Sequence, residues 1–447
     1  MSDVAIGALC LASSLVLIQT GMNIGVSLML LSFVGVWWIK DLMVAGKLLA
    51  SSVATSIASD AYAVIPLFVL MGLFVSATNM GRDTFDVAAV LVRRLRGGLG
   101  IATVAANAVF AACTGTTIAS ASVFTKVAVP EMIRHGYTPP FSVGVVAGSS
   151  VLGMLIPPSI LMIIFGVIAN VSIADLFTAG ILPGVLLSVA FCLTILLLSY
   201  LKESFVAEDP RALRGGYKGP LDDAPASVLL LKFLPIVILV GTVLGGIYGG
   251  FFTPTEAGGA GALAAFLIAL ARRELTLKIF WAVALETGRV TAAICFLLMA
   301  AALYSQMLTL SGLPYAVGQW LEHSALGFIP VLIGYLLVVI LLGCFLDSVS
   351  IMLIVLPFVI PVFDNFGTNL VWLGLISVLA IEIGLLTPPL GIAIFVVKAN
   401  LEDQRISTWD IFKGTTPMTL TIVFVLILCV LFPKLALFLV GQRWSWW

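Results

Sequence analysis

Four short stretches of oxygen-bearing or helix-breaking residues interrupt an otherwise apolar chain. Two have the composition of turns, Cys113-Thr114-Gly115-Thr116-Thr117 and Leu346-Asp347-Ser348-Val349-Ser350. The other two carry paired prolines, Ile156-Pro157-Pro158-Ser159 and Leu386-Thr387-Pro388-Pro389. A proline pair removes two backbone donors and clashes with the preceding turn, so it breaks a helix and frees carbonyls. Free carbonyls in hydrocarbon are costly unless they line a cavity or hold a cation. Carbonyl and hydroxyl oxygens suit a hard cation such as Na⁺, while the exposed N–H groups of new helix starts suit a carboxylate. A single kink in a membrane helix is ordinarily a packing device. Four interruptions in matching positions of two halves point instead to a transport site.

The elements that position these residues must be membrane helices. Of 447 residues, 61% are hydrophobic and 10% charged, with a mean hydropathy of +1.19. Soluble domains carry about 25% charged residues, so this chain cannot coat itself with a polar surface. A span takes about 20 apolar residues, and the sequence predicts about ten spans, near 4–20, 23–39, 60–80, 140–172, 174–201, 228–252, 256–271, 288–311, 370–399 and 414–440. Residues 97–133 and 328–366 fit poorly as single spans. Each predicts two arms of roughly 15–18 residues, about 22–27 Å long and short of a bilayer core, which suits a re-entrant hairpin.

The same composition removes other classes of function. A net charge of zero offers no field for nucleic acid. The start Met1-Ser2-Asp3 lacks a positive leader, so the first span is expected to remain. Six cysteines without CxxC spacing argue against a disulfide framework or zinc site, and no cofactor is expected. The longest polar stretch, Lys202–Pro225, has no GxxxxGK[ST], so an ion gradient must supply any energy. With no HExxH or GxSxG, and His135 and His323 in connecting segments expected to be solvated, an enzyme is not expected.

Basic residues orient the chain. Placing Arg93, Arg94, Arg96 and Arg134 in the cytoplasm also brings Lys202, Arg211, Arg214, Lys218, Arg272, Arg273, Lys278, Arg405 and Lys413 there. Lys40, Lys47, Lys434 and Arg443 then lie outside, so both termini are expected in the periplasm. A shift of 231 residues pairs Gly81, Leu95, Cys113, Pro130, Gly136, Gly153, Leu155, Pro157 and Pro158 with Gly312, Leu326, Cys344, Pro361, Gly367, Gly384, Leu386, Pro388 and Pro389. Most of these identities are Gly, Pro or Cys, which set backbone shape or are rare. The chain thus predicts two inverted repeats, 1–226 and 227–447, since an odd number of crossings separates the double prolines.

The runs Gly153-Met-Leu-Ile-Pro-Pro-Ser159, Glu382-Ile-Gly-Leu-Leu-Thr-Pro-Pro389, Phe345-Leu-Asp347 and Phe252-Thr-Pro-Thr-Glu-Ala257 resemble the large membrane subunit of tripartite ATP-independent periplasmic (TRAP) transporters, over essentially the whole chain. The resemblance implies an all-α elevator fold in a bacterial inner membrane and Na⁺-coupled uptake of an organic acid, such as a C4-dicarboxylate or sialic acid. It also implies two partners, a small membrane subunit and a periplasmic substrate-binding protein. Carried over by motif, the Na⁺ sites comprise Thr114, Gly115, Thr116 and Thr117 with Ile156, Pro157 and Ser159, and Asp347, Ser348 and Ser350 with Thr387 and Pro388. Thr116, Thr117, Ser348 and Ser350 would meet the substrate. The first tip, Thr-Gly-Thr-Thr, departs from the family's usual Ser-Gly-Ser-Ser: hydroxyls are kept, so the coordination chemistry is expected to survive, and the added methyls are expected to alter the pocket's size.

Other residues have two readings. Asp347 could attract a cation or cap the returning helix. Glu382 could relay a proton, tune a cation site or serve a buried hydrogen bond. Lys126 could face an anion, though snorkelling to the surface is the simpler expectation. Thr253-Pro-Thr-Glu256 is a capping box, Ser172 with Asp175 predicts another, and Cys113 and Cys344 are expected to be packed near the tips. No arginine clamp marks a carboxylate site, so substrate identity is not legible. A stand-alone divalent-anion symporter of similar architecture is the competing transport reading, needing no binding protein.

Overall fold

A computed structural model describes residues 2–209, 213, 224–323, 327–403, 405–441 and 444, without the side chain of Glu322. Arg211, Arg214, Lys218, Leu326 and Arg443 lie outside the described residues. Among those described, the chain is helical, with no strand beyond one isolated bridge between Tyr137 and Ala207. The first half runs α1 (Asp3–Gln19), α2 (Ile24–Ile39), α3 (Leu42–Ile57), α4 (Val64–Ser76), α5 (Met80–Val92), α6 (Gly98–Thr114), α7 (Thr117–Arg134), α8 (Pro139–Ser150), α9 (Leu152–Leu155), α10 (Ile160–Ala169), α11 (Ile173–Leu201) and α12 (Glu203–Val206). The second runs α13 (Ala226–Val240), α14 (Gly246–Tyr248), α15 (Pro254–Ala271), α16 (Leu277–Ser311), α17 (Leu313–His323), α18 (Phe328–Gly343), α19 (Ser348–Asn365), α20 (Leu370–Leu385), α21 (Ile392–Asn400), α22 (Thr408–Leu431) and α23 (Lys434–Leu437).

Both expected tips are helix–turn–helix units, α6–α7 and α18–α19, and both expected breaks are present, α8–α9–α10 and α20–α21. The elements recur at the same offset as the sequence identities. The returning helices α7 and α19 are each 18 residues long and start 231 positions apart, as do α8 and α20. Gly136 and Gly367, also 231 apart, both follow the returning helices with positive φ (83° and 62°). The halves interlock, because α7 packs against α21 while α19 packs against α10.

Span lengths differ from expectation. Among the described residues, seven helices are long and apolar enough to cross a membrane, or eight if α3 and Asp60–Ser76, bent by 53°, count as one. The count of about ten included α1, α2 and α20, at 17, 16 and 16 residues shorter apolar helices. Helix α3 went unpredicted because Lys47, Ser51, Ser52 and Thr55 dilute its hydropathy. Helix α16 runs 35 residues from Leu277, well ahead of the expected start at 288, since neither proline nor cap interrupts it. The last long helix ends at Leu431 rather than near 440, where Pro433 removes a donor and restarts the chain as α23.

Capping explains most helix starts. Thr253 and Glu256 form the expected reciprocal box, with Pro254 at the first helical position. Ser172 Oγ accepts from Asp175 N at 3.2 Å. The histidines are not simply solvated: His135 Nδ1 lies 2.8 Å from Glu131 O, and His323 Nδ1 2.7 Å from Gln319 O. Cys113 and Cys344 are buried, as expected. The halves also meet where Gly144 of α8 faces Gly414 of α22, backbone on backbone, leaving no room for a Cβ. Small residues of this kind are how membrane helices gain contact without a hydrophobic driving force.

A charge cluster secures α5, which the span count also missed. Buried Asp83 pairs with Arg272 and, at 2.8 Å, with Lys232, while Arg272 meets Glu274 at 3.0 Å. Removing one partner strands the others' charge, which is the costly way to break a buried pair. Asp83→Ala is therefore expected to destabilise the fold by about 3 kcal/mol, seen as a lower thermal midpoint of the detergent-purified protein. A midpoint matching wild type would mean that the cluster is solvent-screened.

Candidate functional site

The first tip is built on a glycine. Helix α6 ends at Thr114, and Gly115 turns the chain with φ +64°. Its carbonyl accepts from Ile160 N at 3.2 Å, seating the tip on the first residue of α10, just past the Pro157-Pro158 break. A Cβ at Gly115 would stand 2.7 Å from Pro158 O, so both conformation and space demand glycine. Thr116 then caps α7, its Oγ1 accepting from Ala119 N at 3.2 Å. Across the break, Ser159 caps α10 by accepting from Met162 N at 3.3 Å.

The second tip follows the same plan with a carboxylate in the capping position. Asp347, 231 residues after Thr116, accepts from Ser350 N at 3.2 Å and from the Ser350 hydroxyl. Gly391 N donates to Cys344 O at 3.3 Å, seating this tip on the far side of the Pro388-Pro389 break. Thus Asp347 does cap α19. Capping uses some of its lone pairs and leaves others for a cation. The hydroxyls of Thr114 and Thr387 donate to Phe110 O and Ile383 O, at 3.2 and 2.6 Å, and also keep lone pairs.

The two tips face one another across a cleft of about 60 Å³ lined by Thr117, Ile118, Met154, Asp347, Ser348 and Val349 with α20–α21 residues. It therefore brings Thr117, Asp347 and Ser348 together from helix starts over two hundred residues apart. Thr116 and Ser350 are not in its lining: Thr116 caps, and Ser350 is turned onto Asp347. Thr114, Gly115, Ile156, Pro157, Ser159, Thr387 and Pro388 lie at the tip-to-break seams or beside them rather than in the cleft. Lys126 is exposed on α7, away from the lining.

Beside the tips, two hydrogen bonds from α7 to the second half were not foreseen. Thr117 Oγ1 donates to Glu382 Oε2 at 2.9 Å, and Ser122 Oγ donates to Asn400 Oδ1 at 2.9 Å. Together they fasten α7, the returning arm of the first tip, to the second broken helix. Glu382 stood out in the sequence as a charge within a span, but nothing local named its partner. The apolar lining residues Ile118 and Met154 carried no signal at all.

The profile of the family described as "Tripartite ATP-independent periplasmic transporter, DctM component" matches residues 11–435. The C4-dicarboxylate TRAP transporter large permease protein DctM of Pseudomonas aeruginosa is 34% identical over 336 residues, 75% of this chain and 76% of that protein. The sialic acid TRAP transporter large permease protein SiaM of Vibrio cholerae is 30% identical, covering 84% and 85%. Among solved structures, the YdaH transporter of Alcanivorax borkumensis superposes with a TM-score of 0.59 at 14% identity, over 90% of each chain.

Proposed function

This chain belongs to the DctM-component family of TRAP transporter large permeases, and on that premise we propose that it performs Na⁺-coupled uptake of an organic acid delivered by a periplasmic binding protein. The observation that carries the reading is the cleft where two capped helix starts, each seated beside a proline break, converge. Helix N-termini offer N–H groups to a carboxylate, and the hydroxyl and carbonyl oxygens at the seams suit Na⁺. Relatives named for C4-dicarboxylate and sialic acid support an acidic substrate.

At about 60 Å³ the cleft holds roughly two waters, so an organic acid enters only when the tips separate. The interlocked tips and broken helices form the moving body in this reading, sliding against a frame that includes α2, α4 and α16. The 231-residue recurrence of α7 in α19 supports two inverted repeats, near 1–226 and 227–447, and hence alternating access. The permease sits in the inner membrane with both termini periplasmic, beside a small membrane subunit.

Reconstituted with that subunit, the protein is expected to accumulate acid only when an inward Na⁺ gradient and the loaded binding protein are both present. Full uptake in choline buffer under a membrane potential would end the Na⁺ reading. Uptake of free acid without the binding protein would make the chain a stand-alone symporter.

A further inference from the structure

Among the buried oxygens without a partner in the described residues, two belong to residues that neighbour the same hydroxyl. Glu382 is 1% exposed; its Oε2 accepts from Thr117, but its Oε1 is buried with no hydrogen bond. Ser120 is fully buried, and its Oγ is likewise without a partner. Ser120 follows Thr117 by three residues on α7, so the two side chains share a helix face about 5–6 Å apart at Cβ. Other buried hydroxyls nearby are satisfied: Thr125 bonds Ala121 O, and Ser150 bonds Ala147 O.

An unpaired buried carboxylate oxygen is expensive, and no basic side chain among the described residues forms an ion pair with Glu382. Glu382 and Ser120 form no hydrogen bond with each other, and the two residues come from different halves of the chain. Position 151, the counterpart of Glu382 at the 231-residue offset, is valine, so this charge exists once and not twice.

We propose that Glu382 Oε1, Ser120 Oγ and the Thr117 hydroxyl hold a small monovalent cation, Na⁺ in the coupled cycle, at a site shared between the two halves. One carboxylate neutralises one positive charge, and hydroxyl oxygens complete a hard-ligand set. This site adds to the tip-and-break positions a ligand from the opposite half. Filling it fastens α7 to α20, so the ion joins the first tip to the second broken helix. The inference rests on the reading that Na⁺ drives transport.

The test uses the full complex in detergent, with NaCl titrated against choline chloride at constant ionic strength and the thermal midpoint as the readout. Glu382→Gln keeps the size of the side chain and an acceptor for Thr117 while removing the charge. It is expected to raise the half-saturating Na⁺ concentration at least about tenfold. Ser120→Ala removes one ligand without touching charge, and is expected to raise it about threefold, which covers the case in which the Gln variant does not fold. A purely structural glutamate would lower the midpoint at every Na⁺ concentration and leave the half-saturation point in place. If both variants titrate like wild type, the two oxygens meet water or the acid is protonated, and the shared site is wrong, while Na⁺ coupling stands. If wild type itself shows no response to Na⁺, the coupling reading and this site fail together.

Discussion

Single cysteines at Thr116 and Ser348, on a background lacking the six native cysteines, are expected to react with impermeant thiol reagents from opposite sides of the membrane. The two residues belong to tips that recur at a 231-residue offset, Thr116 at the cap and Ser348 at the first helical position of the returning arm. If an odd number of crossings lies between the repeats, the same local structure is presented upside down. Arg93, Arg94 and Arg96 precede the first tip and Arg134 ends its returning arm, whereas α18 and α19 carry no lysine or arginine. Basic residues stay cytoplasmic, so the first tip should be rooted there and the second in the periplasm. Both positions are partly or wholly buried with the tips together, so labelling should depend on substrate and Na⁺. Each condition that opens one tip should protect the other. Labelling of both from one side in every condition would defeat the inverted topology and the alternating access built on it.

Asp347→Asn is expected to raise the half-saturating Na⁺ concentration for uptake about tenfold while leaving the thermal midpoint in choline near that of wild type. The substitution separates two roles that the geometry superimposes. As a cap, Asp347 needs only an oxygen that accepts from Ser350 N, and asparagine supplies one equally well. As a cation ligand it needs its charge, which the amide lacks. Asp347 also lines the cleft, so loss of charge there should be felt by any ion bound at the second tip. An unchanged Na⁺ dependence would assign the carboxylate to capping alone. Asp347→Ala, which loses both roles, should cost about 1 kcal/mol of stability as well.

Much of the site was legible because it is made of backbone chemistry. A proline pair breaks its own helix, Gly115 turns its own chain, and Thr116 or Asp347 caps the helix that follows within three residues. Such effects are complete within a few positions, so the sequence by itself determined where the tips and breaks lie, and their recurrence at one offset is what the proposed repeats rest on. Hydropathy likewise determined the class of protein, since a chain this apolar has no polar surface to show water.

Tertiary packing decided the rest. Helix α3 and the amphipathic α5 and α17 were not legible, because hydropathy blurs once polar residues face a neighbour or a surface. The close approach of α8 and α22 at Gly144 and Gly414, and the crossing of α7 onto α21, are properties of pairs of helices far apart in sequence. The same holds for the meeting of Thr117 with Glu382, separated by 265 residues. Either residue alone is an ordinary threonine or a suspicious acid. Only the interlocking of the halves puts one hydroxyl beside that carboxylate, because a side chain's partner is chosen by the helix packed against it.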